Sequence, residues 1–203
     1  NFSSSLGYQN NIGYYISSEF NRLNLRNNVT VRPTKDFKVS LGLAYSRSLA
    51  KSPGQGSNSN NGFQFVNQIP AIYPVFEHDE NGNLVNDPKI PGGKSYDYGQ
   101  TADGSRAYAG GINPAGAVRL DRDEDLTNLT TGNLNLEYRF LKDFKLAVTY
   151  GFQSTASKNE TLANPYYGDA AKLGRISNLN ENDFSWTLNE ILSWGKTFGD
   201  HTV

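Results

Sequence analysis

The 203-residue chain has no cysteine, only two histidines, and no apolar run approaching the ~18 residues a membrane-spanning helix needs. Without cysteine there is no disulfide frame and no thiolate site. His78 and His201 stand apart, with no nucleophile motif near either, so neither a zinc centre nor a catalytic triad is expected. The chain is therefore read as a non-enzyme that needs no cofactor and no metal. An excess of one charge is also missing. With 19 basic and 20 acidic side chains the net charge is −1, which gives no bulk attraction for nucleic acid. Hydrophobic residues make up 36% of the chain, low for a globular core. The missing apolar run excludes membrane helices alone, because a barrel strand needs only one apolar face. No signal peptide precedes Asn1, so the expectation is a mature product or a fragment.

What is present is a strand–turn–strand unit that occurs twice. The first runs from Leu23 to Arg32, turns through Pro33-Thr34-Lys35-Asp36, and returns from Phe37 to Tyr45. The second runs from Asn133 to Phe140, turns through Leu141-Lys142-Asp143, and returns from Phe144 to Phe152. Both pivot on Lys-Asp-Phe-Lys, at 35–38 and 142–145, and both alternate apolar with polar residues at period two. Phe37, Val39, Leu41, Leu43 and Tyr45 share one face, as do Phe144, Leu146, Val148, Tyr150 and Phe152. At about 9 residues or more these strands exceed the usual 5–6 and suit a tilted membrane-spanning strand.

Connections between the strands alternate in length. A polar loop over 9–19, a long loop over 50–125 and another over 156–182 interleave with short turns at 33–36, 141–143 and 195–201. Short turns at one rim and long loops at the other are the pattern of an outer-membrane barrel. Phe63–Ile69 is expected as a short helix or strand, and Asn81-Gly82 as the turn of a small hairpin. Aromatic residues on the apolar face fall in pairs eight apart: Phe37 and Tyr45, Phe144 and Phe152, Trp186 and Trp194. Eight tilted residues climb roughly 20 Å, close to the separation of the two aromatic girdles of such barrels, so these six are expected at the lipid interfaces. Glu190 lies on the parity of Trp186 and Leu188, and Phe20 on the polar parity of its strand. Either a bulge shifts the register there or the strand ends lie elsewhere. The count is about seven strands, too few to close a barrel. The fold class is thus an all-β section of a large antiparallel transmembrane β-barrel, occupying 1–203, with 50–125 and 156–182 as extracellular loops.

Among polar residues, Arg22, Arg26, Arg32, Glu137 and Arg139 are expected to face the lumen. The loop aromatics Tyr73, Phe76, Tyr96, Tyr98, Tyr108, Tyr166 and Tyr167 offer flat apolar faces with polar rims, suited to sugar rings or peptide side chains, or to packing the loops together. The acidic run Asp121–Asp125 lacks calcium-loop spacing. Asn28, Asn128 and Asn159 each begin an Asn-x-Ser/Thr triplet, which Asn-rich chains also generate by chance.

The order of several short patterns resembles the SusC/RagA-type TonB-linked outer-membrane transporters. They are Ser18 to Asn28, the Lys35–Lys38 turn, Ile112-Asn113-Pro114-Ala115, Asn164-Pro165-Tyr166-Tyr167-Gly168, and Phe184 to Glu190 running into Phe198–His201. The resemblance implies a barrel of about 22 strands with a plug outside this segment, located in the bacterial outer membrane. It implies active import of oligosaccharides or peptides, with a SusD-like surface lipoprotein, the TonB complex and outer-membrane lipid as partners. The alternatives from the residues alone are a passive porin or structural barrel, and a soluble secreted β-sandwich that binds glycans.

Overall fold

A computed structural model describes the chain except residues 54–60, 69, 102–103, 106–109, 169, 200 and 203. Its elements in order are β1 (Phe2–Ile12), β2 (Glu19–Val31), β3 (Phe37–Lys51), α1 (Gly62–Gln68), β4 (Gln100–Thr101), β5 (Gly104–Ser105), α2 (Pro114–Leu120), β6 (Arg122–Phe140), β7 (Phe144–Ala163), β8 (Arg175–Trp194), β9 (Thr197–Phe198) and β10 (His201–Thr202). The six long strands form one antiparallel meander in the order β1-β2-β3-β6-β7-β8. Every neighbour follows its predecessor in sequence, so the sheet contains no crossover.

The two repeats are the β2–β3 and β6–β7 hairpins, and their shared pivot has a structural reason. In each, the aspartate carbonyl accepts a hydrogen bond from the next segment: Arg139 N donates to Asp36 O at 2.8 Å, and Gly195 N to Asp143 O at 3.0 Å. The equivalent lysines also meet one acid. Lys38 and Lys145 place their ammonium groups 2.9 and 3.3 Å from the two carboxylate oxygens of Glu137. Each Lys-Asp-Phe-Lys turn thereby joins its hairpin to the strand beside it.

Register runs unbroken along all five strand pairs, without a bulge. The apolar parity of one strand therefore meets the apolar parity of the next. One rung reads Phe2, Val29, Leu41, Leu134, Tyr150, Leu188. The aromatic pairs mark both limits of this apolar band, and the limits slant. Tyr8 lies on the rung of Leu23 and Arg47, two residues beyond Tyr45. Tyr45 lies on the rung of Thr130 and Ser154, two residues beyond Phe152. At the other limit the rung of Phe37 reaches Leu146, two residues beyond Phe144. From β1 to β7, two residues of about 3.4 Å over two strand spacings of about 4.8 Å give an inclination of about 35°, within the range of closed barrels; between β7 and β8 the limits are level, with Phe152 facing Trp186 and Phe144 facing Trp194.

This sheet has no core of its own. In the six long strands the only buried residues are Gly42 and Gly132, and large apolar side chains such as Phe2, Leu41, Leu43, Trp186 and Leu192 stay exposed. Among the described residues the buried apolar side chains, Tyr96, Tyr98, Ala117 and Val118, all lie between β3 and β6. A single layer with one continuous apolar face needs a second apolar phase against it, because leaving that area in water costs about 25 cal/mol per Å².

Several boundaries depart from expectation. The loop expected over 156–182 is confined to 164–174, the one over 50–125 to 52–121, and the polar stretch over 9–19 to 13–18. In those margins the apolar parity itself turns polar, as at Asn178, Asn180 and Asn182, so strand pairing persists without a period-two signal. Of about seven expected strands, six join the sheet; His201 and Thr202 pair with β9 in a two-residue hairpin. Residues 62–68 form helix α1, and the Asn81-Gly82 hairpin is present, closed by the His78–Leu84 bridge with Gly82 at φ +81. No bulge occurs near Glu190 or Phe20, so the parity of both is real. Asn28, Asn128 and Asn159 all lie in strands and are hydrogen-bonded there, to Ser3, Tyr45, and Asp123 with Asp125.

Candidate functional site

At the end of the sheet away from the short turns, the two long loops fold into one cap. Two asparagine–proline motifs assemble it. Asn113 caps α2 by accepting from Gly116 N at 3.3 Å, with Pro114 starting the helix where its missing N–H costs nothing. The same buried side chain donates to Val75 O at 2.8 Å and Asp97 O at 2.9 Å, pinning two further loop segments. Asn164 likewise turns the chain: its Oδ1 accepts from Tyr166 N at 3.0 Å and Tyr167 N at 2.9 Å. Its Nδ2 donates to Asp121 Oδ1 at 2.6 Å, tying the second loop to the end of α2. Both asparagines are buried and fully engaged, which is why their substitution would leave polar groups orphaned.

Aromatic rings fill the space between these anchors. Tyr98 and Tyr167 stack with centroids 4.7 Å apart and planes 5° from parallel. Phe76 lies 5.0 Å from Tyr96. The Tyr167 hydroxyl donates to Asp87 Oδ2 at 2.8 Å, and Lys89 Nζ sits 4.5 Å above the Tyr167 ring while donating to Tyr166 O at 3.0 Å. Burial raises the pKa of Tyr98, with Asp121 adding to it; burial also raises that of Tyr167, and its bond to Asp87 pushes the same way. Both phenols are held neutral.

Of the seven loop aromatics singled out from the sequence, Tyr96 and Tyr98 are buried and spent on packing, and cannot offer a face to a ligand. Phe76 and Tyr167 are half-buried in the same cluster. Tyr73 is half-buried, Tyr166 is exposed, and Tyr108 lies outside the described residues. The sequence shows the types but not which rings stack on one another.

Beneath the cap lies a cleft of about 650 Å³. Its wall includes the 13–18 loop, the end of α2 and the ends of β2, β3, β6 and β7, with Glu19, Lys51, Asp121, Asp123 and Arg175 among its lining. Ser17, at φ 63, fastens the short loop by donating to Val118 O at 2.5 Å. Lys51 pairs with Glu19 at 3.1 Å, and Arg122 with Glu160. The acidic run beside the cleft holds no group of three metal ligands among the described residues.

The polar face of the sheet leads away from this cleft. Arg22, Arg26, Glu137 and Arg139 all lie on it, and Arg32 follows the end of β2 on the same parity. Phe37, Tyr45, Phe144, Phe152, Trp186 and Trp194 all lie on the other face, with Phe144 opposite Trp194 and Phe152 opposite Trp186. Glu181 and Asp183, at the polar face of β8, were not singled out by their sequence context of Asn-rich polar residues. Only the register reveals which face they share.

No family profile and no curated protein sequence matches the chain. Among solved structures it is similar to the RagAB peptide importer in the closed-closed state, with a TM-score of 0.65 and 18% identity over 97% of this chain. The open-open state of the same importer gives a TM-score of 0.65 and 18% identity over 98% of this chain. The chain spans about a fifth of the matched protein, 20% of its length in both cases. At this identity the likeness is one of fold. The chain is an all-β section of a large antiparallel barrel, and the resemblance drawn from the residues holds at that level.

Proposed function

We propose that the chain is part of an outer-membrane TonB-dependent importer of oligosaccharides or peptides, working with a SusD-like surface lipoprotein. One observation carries this reading: a bulge-free sheet with one slanted apolar band and one polar face matches, over nearly its whole length, part of an importer's fold. In this reading the apolar face meets lipid and the six aromatics lie at its two interfaces. The polar face lines the lumen with Arg22, Arg26, Arg32, Glu137 and Arg139. The cap and cleft stand outside the cell, where a lipoprotein lid would close on them and where Tyr73 and Tyr166 remain available to substrate. The chain contributes no chemistry of its own; its work is to bind, screen and enclose.

Cells carrying the full gene should accumulate a labelled peptide or oligosaccharide, and lose that uptake when the proton gradient is collapsed. Uptake that survives collapse of the gradient would identify a passive porin instead. A full-length protein that stays monodisperse in plain buffer would reject the membrane reading altogether.

A further inference from the structure

Within the cap, the second loop meets the first through the short segment 164–168. Asn164 fixes one end, donating to Asp121 Oδ1 through its backbone N at 2.9 Å and its Nδ2 at 2.6 Å. Tyr167 fixes the other. Its ring stacks on Tyr98, its hydroxyl donates to Asp87 Oδ2, and Lys89 reaches across that ring to Tyr166 O. Two buried groups stand beside the Tyr167 hydroxyl: Asp87, and Ser95, whose Oγ lies 3.4 Å away and donates to Glu77 Oε2 at 2.6 Å.

Two features set this contact apart from fixed packing. The first is a buried donor without an acceptor. Tyr98 is 4% exposed, and its hydroxyl has no hydrogen-bond partner among the described residues. A buried hydroxyl left unpaired opposes the state that buries it. The charge of Asp121 bears on the same phenol, but its Oδ1 is taken by Asn164. The second feature is that the segment holds its own shape. Asn164 Oδ1 accepts from Tyr166 N and Tyr167 N, and Pro165 O accepts from Lys172 N at 2.7 Å. Those bonds stay within the second loop if the segment lifts. Pro165 and Tyr166 are exposed, and a Cβ at Gly168, where φ is +85, would meet nothing within 4 Å. Little apolar burial resists the motion.

We propose that segment 164–168 is a latch: Tyr167 fastens it to the first loop, and it lifts as a unit to open the edge of the cleft. The latch hangs from that edge. Ala163 and Arg175, which pair with each other at the ends of β7 and β8, line the cleft, and so does Asp121. Lifting frees the Asp121 oxygen that Asn164 holds, bares Ser95 and gives the Tyr98 hydroxyl to water. The sheet keeps its register, because its last pair, Ala163 with Arg175, lies outside the latch. The latch is a property of the cap alone and goes beyond the importer reading without depending on it.

Ser95→Cys reports the latch in the purified full-length protein in detergent, read by the rate at which a maleimide adds to that residue. Its thiol should react far more slowly than that of Leu173→Cys, a position 93% exposed. Tyr167→Phe keeps the ring but removes the bond to Asp87. It should speed the reaction at Ser95→Cys roughly tenfold or more, the scale of one lost hydrogen bond to a charged group. Tyr98→Phe removes an unpaired hydroxyl and should slow the reaction. Val118→Cys, buried where the cap meets Ser17 rather than the latch, should respond to neither change. Equal rates for Ser95→Cys and Leu173→Cys, or no acceleration with Tyr167→Phe, would overturn the latch. Parallel acceleration at Val118→Cys would do so as well, since the cap would then loosen as a whole. The Tyr98→Phe arm remains decisive in that case: a reaction that it fails to slow shows that the phenol does not oppose the closed state.

Discussion

Val148 stands directly opposite Glu190 on the apolar face, in a ladder that runs without a break from Ala163–Arg175 to Phe144–Trp194. The acid is flanked along its strand by Leu188 and Leu192 and shares their face. A sequence reading allowed a bulge to hide this mismatch, and the register removes that escape. On a lipid-facing band a carboxylate carries a penalty, though a smaller one than Arg or Lys.

The two faces should differ sharply in their tolerance of charge. Arg at Leu41 is expected to cost about 2–4 kcal/mol, and Arg at Val148 less because it faces Glu190, whereas Arg at Ser40 or Thr149 on the opposite parity should be mild. Denaturant titrations of the full-length protein refolded into lipid vesicles measure both. Equal costs on the two faces would show that the apolar side does not meet lipid.

Gly132 should be the less replaceable of two glycines that sit on adjacent strands and opposite faces. A Cβ at Gly132 would lie 2.2 Å from Cε1 and 2.6 Å from Cζ of Phe152, whose ring covers the glycine; at Gly151 the nearest atom is Gly132 O at 4.0 Å. Gly132→Ala is expected to cost about 1–3 kcal/mol and Gly151→Ala less than about 0.5 kcal/mol. In a Phe152→Ala background the Gly132 penalty should vanish, a coupling that a double-mutant cycle reads directly. A penalty that persists without the ring would mean that the backbone, not Phe152, excludes the side chain.

Alkali should open the cap before it disturbs the sheet. Tyr98 and Tyr167 have pKa values raised by burial, so the fold favours their neutral forms. Their contribution is fully present below the unfolded tyrosine value of about 10 and is lost as pH rises through the raised folded values. Tyrosinate absorbance of the full-length protein should show a late-titrating fraction, and that fraction should shrink in Tyr98→Phe and Tyr167→Phe. A titration identical in the variants would show that the cap holds no shielded phenol.

The rims should label from opposite sides. Cysteine at Glu80 or Leu173, both exposed in the loops, should react with an impermeant maleimide on intact cells. Cysteine at Thr34 or Lys35, in the first short turn, should react only after the outer membrane is opened. The chain has no native cysteine to confuse the signal within this segment. The reverse pattern would invert the topology and remove the cap from the substrate's side.

The sequence by itself determined the hairpins, their faces and their pivots, because alternation at period two is a local signal that any strand with one apolar side must carry. It was enough to separate Leu41 from Ser40 and Val148 from Thr149, to place the aromatic pairs on one side, and to mark both asparagine–proline motifs. It lost the strand ends at 156–163 and 175–182, where the apolar parity turns mostly polar and pairing leaves no hydrophobic period. It also showed Tyr96 and Tyr166 as equivalent candidates, although one is buried and the other exposed. Only the tertiary structure decided that, because burial depends on which distant rings and carbonyls meet: Tyr98 with Tyr167, and Asn113 with Val75 and Asp97. The slant of the apolar band was likewise decided by register, a relation among five strand pairs that no one segment of the chain contains.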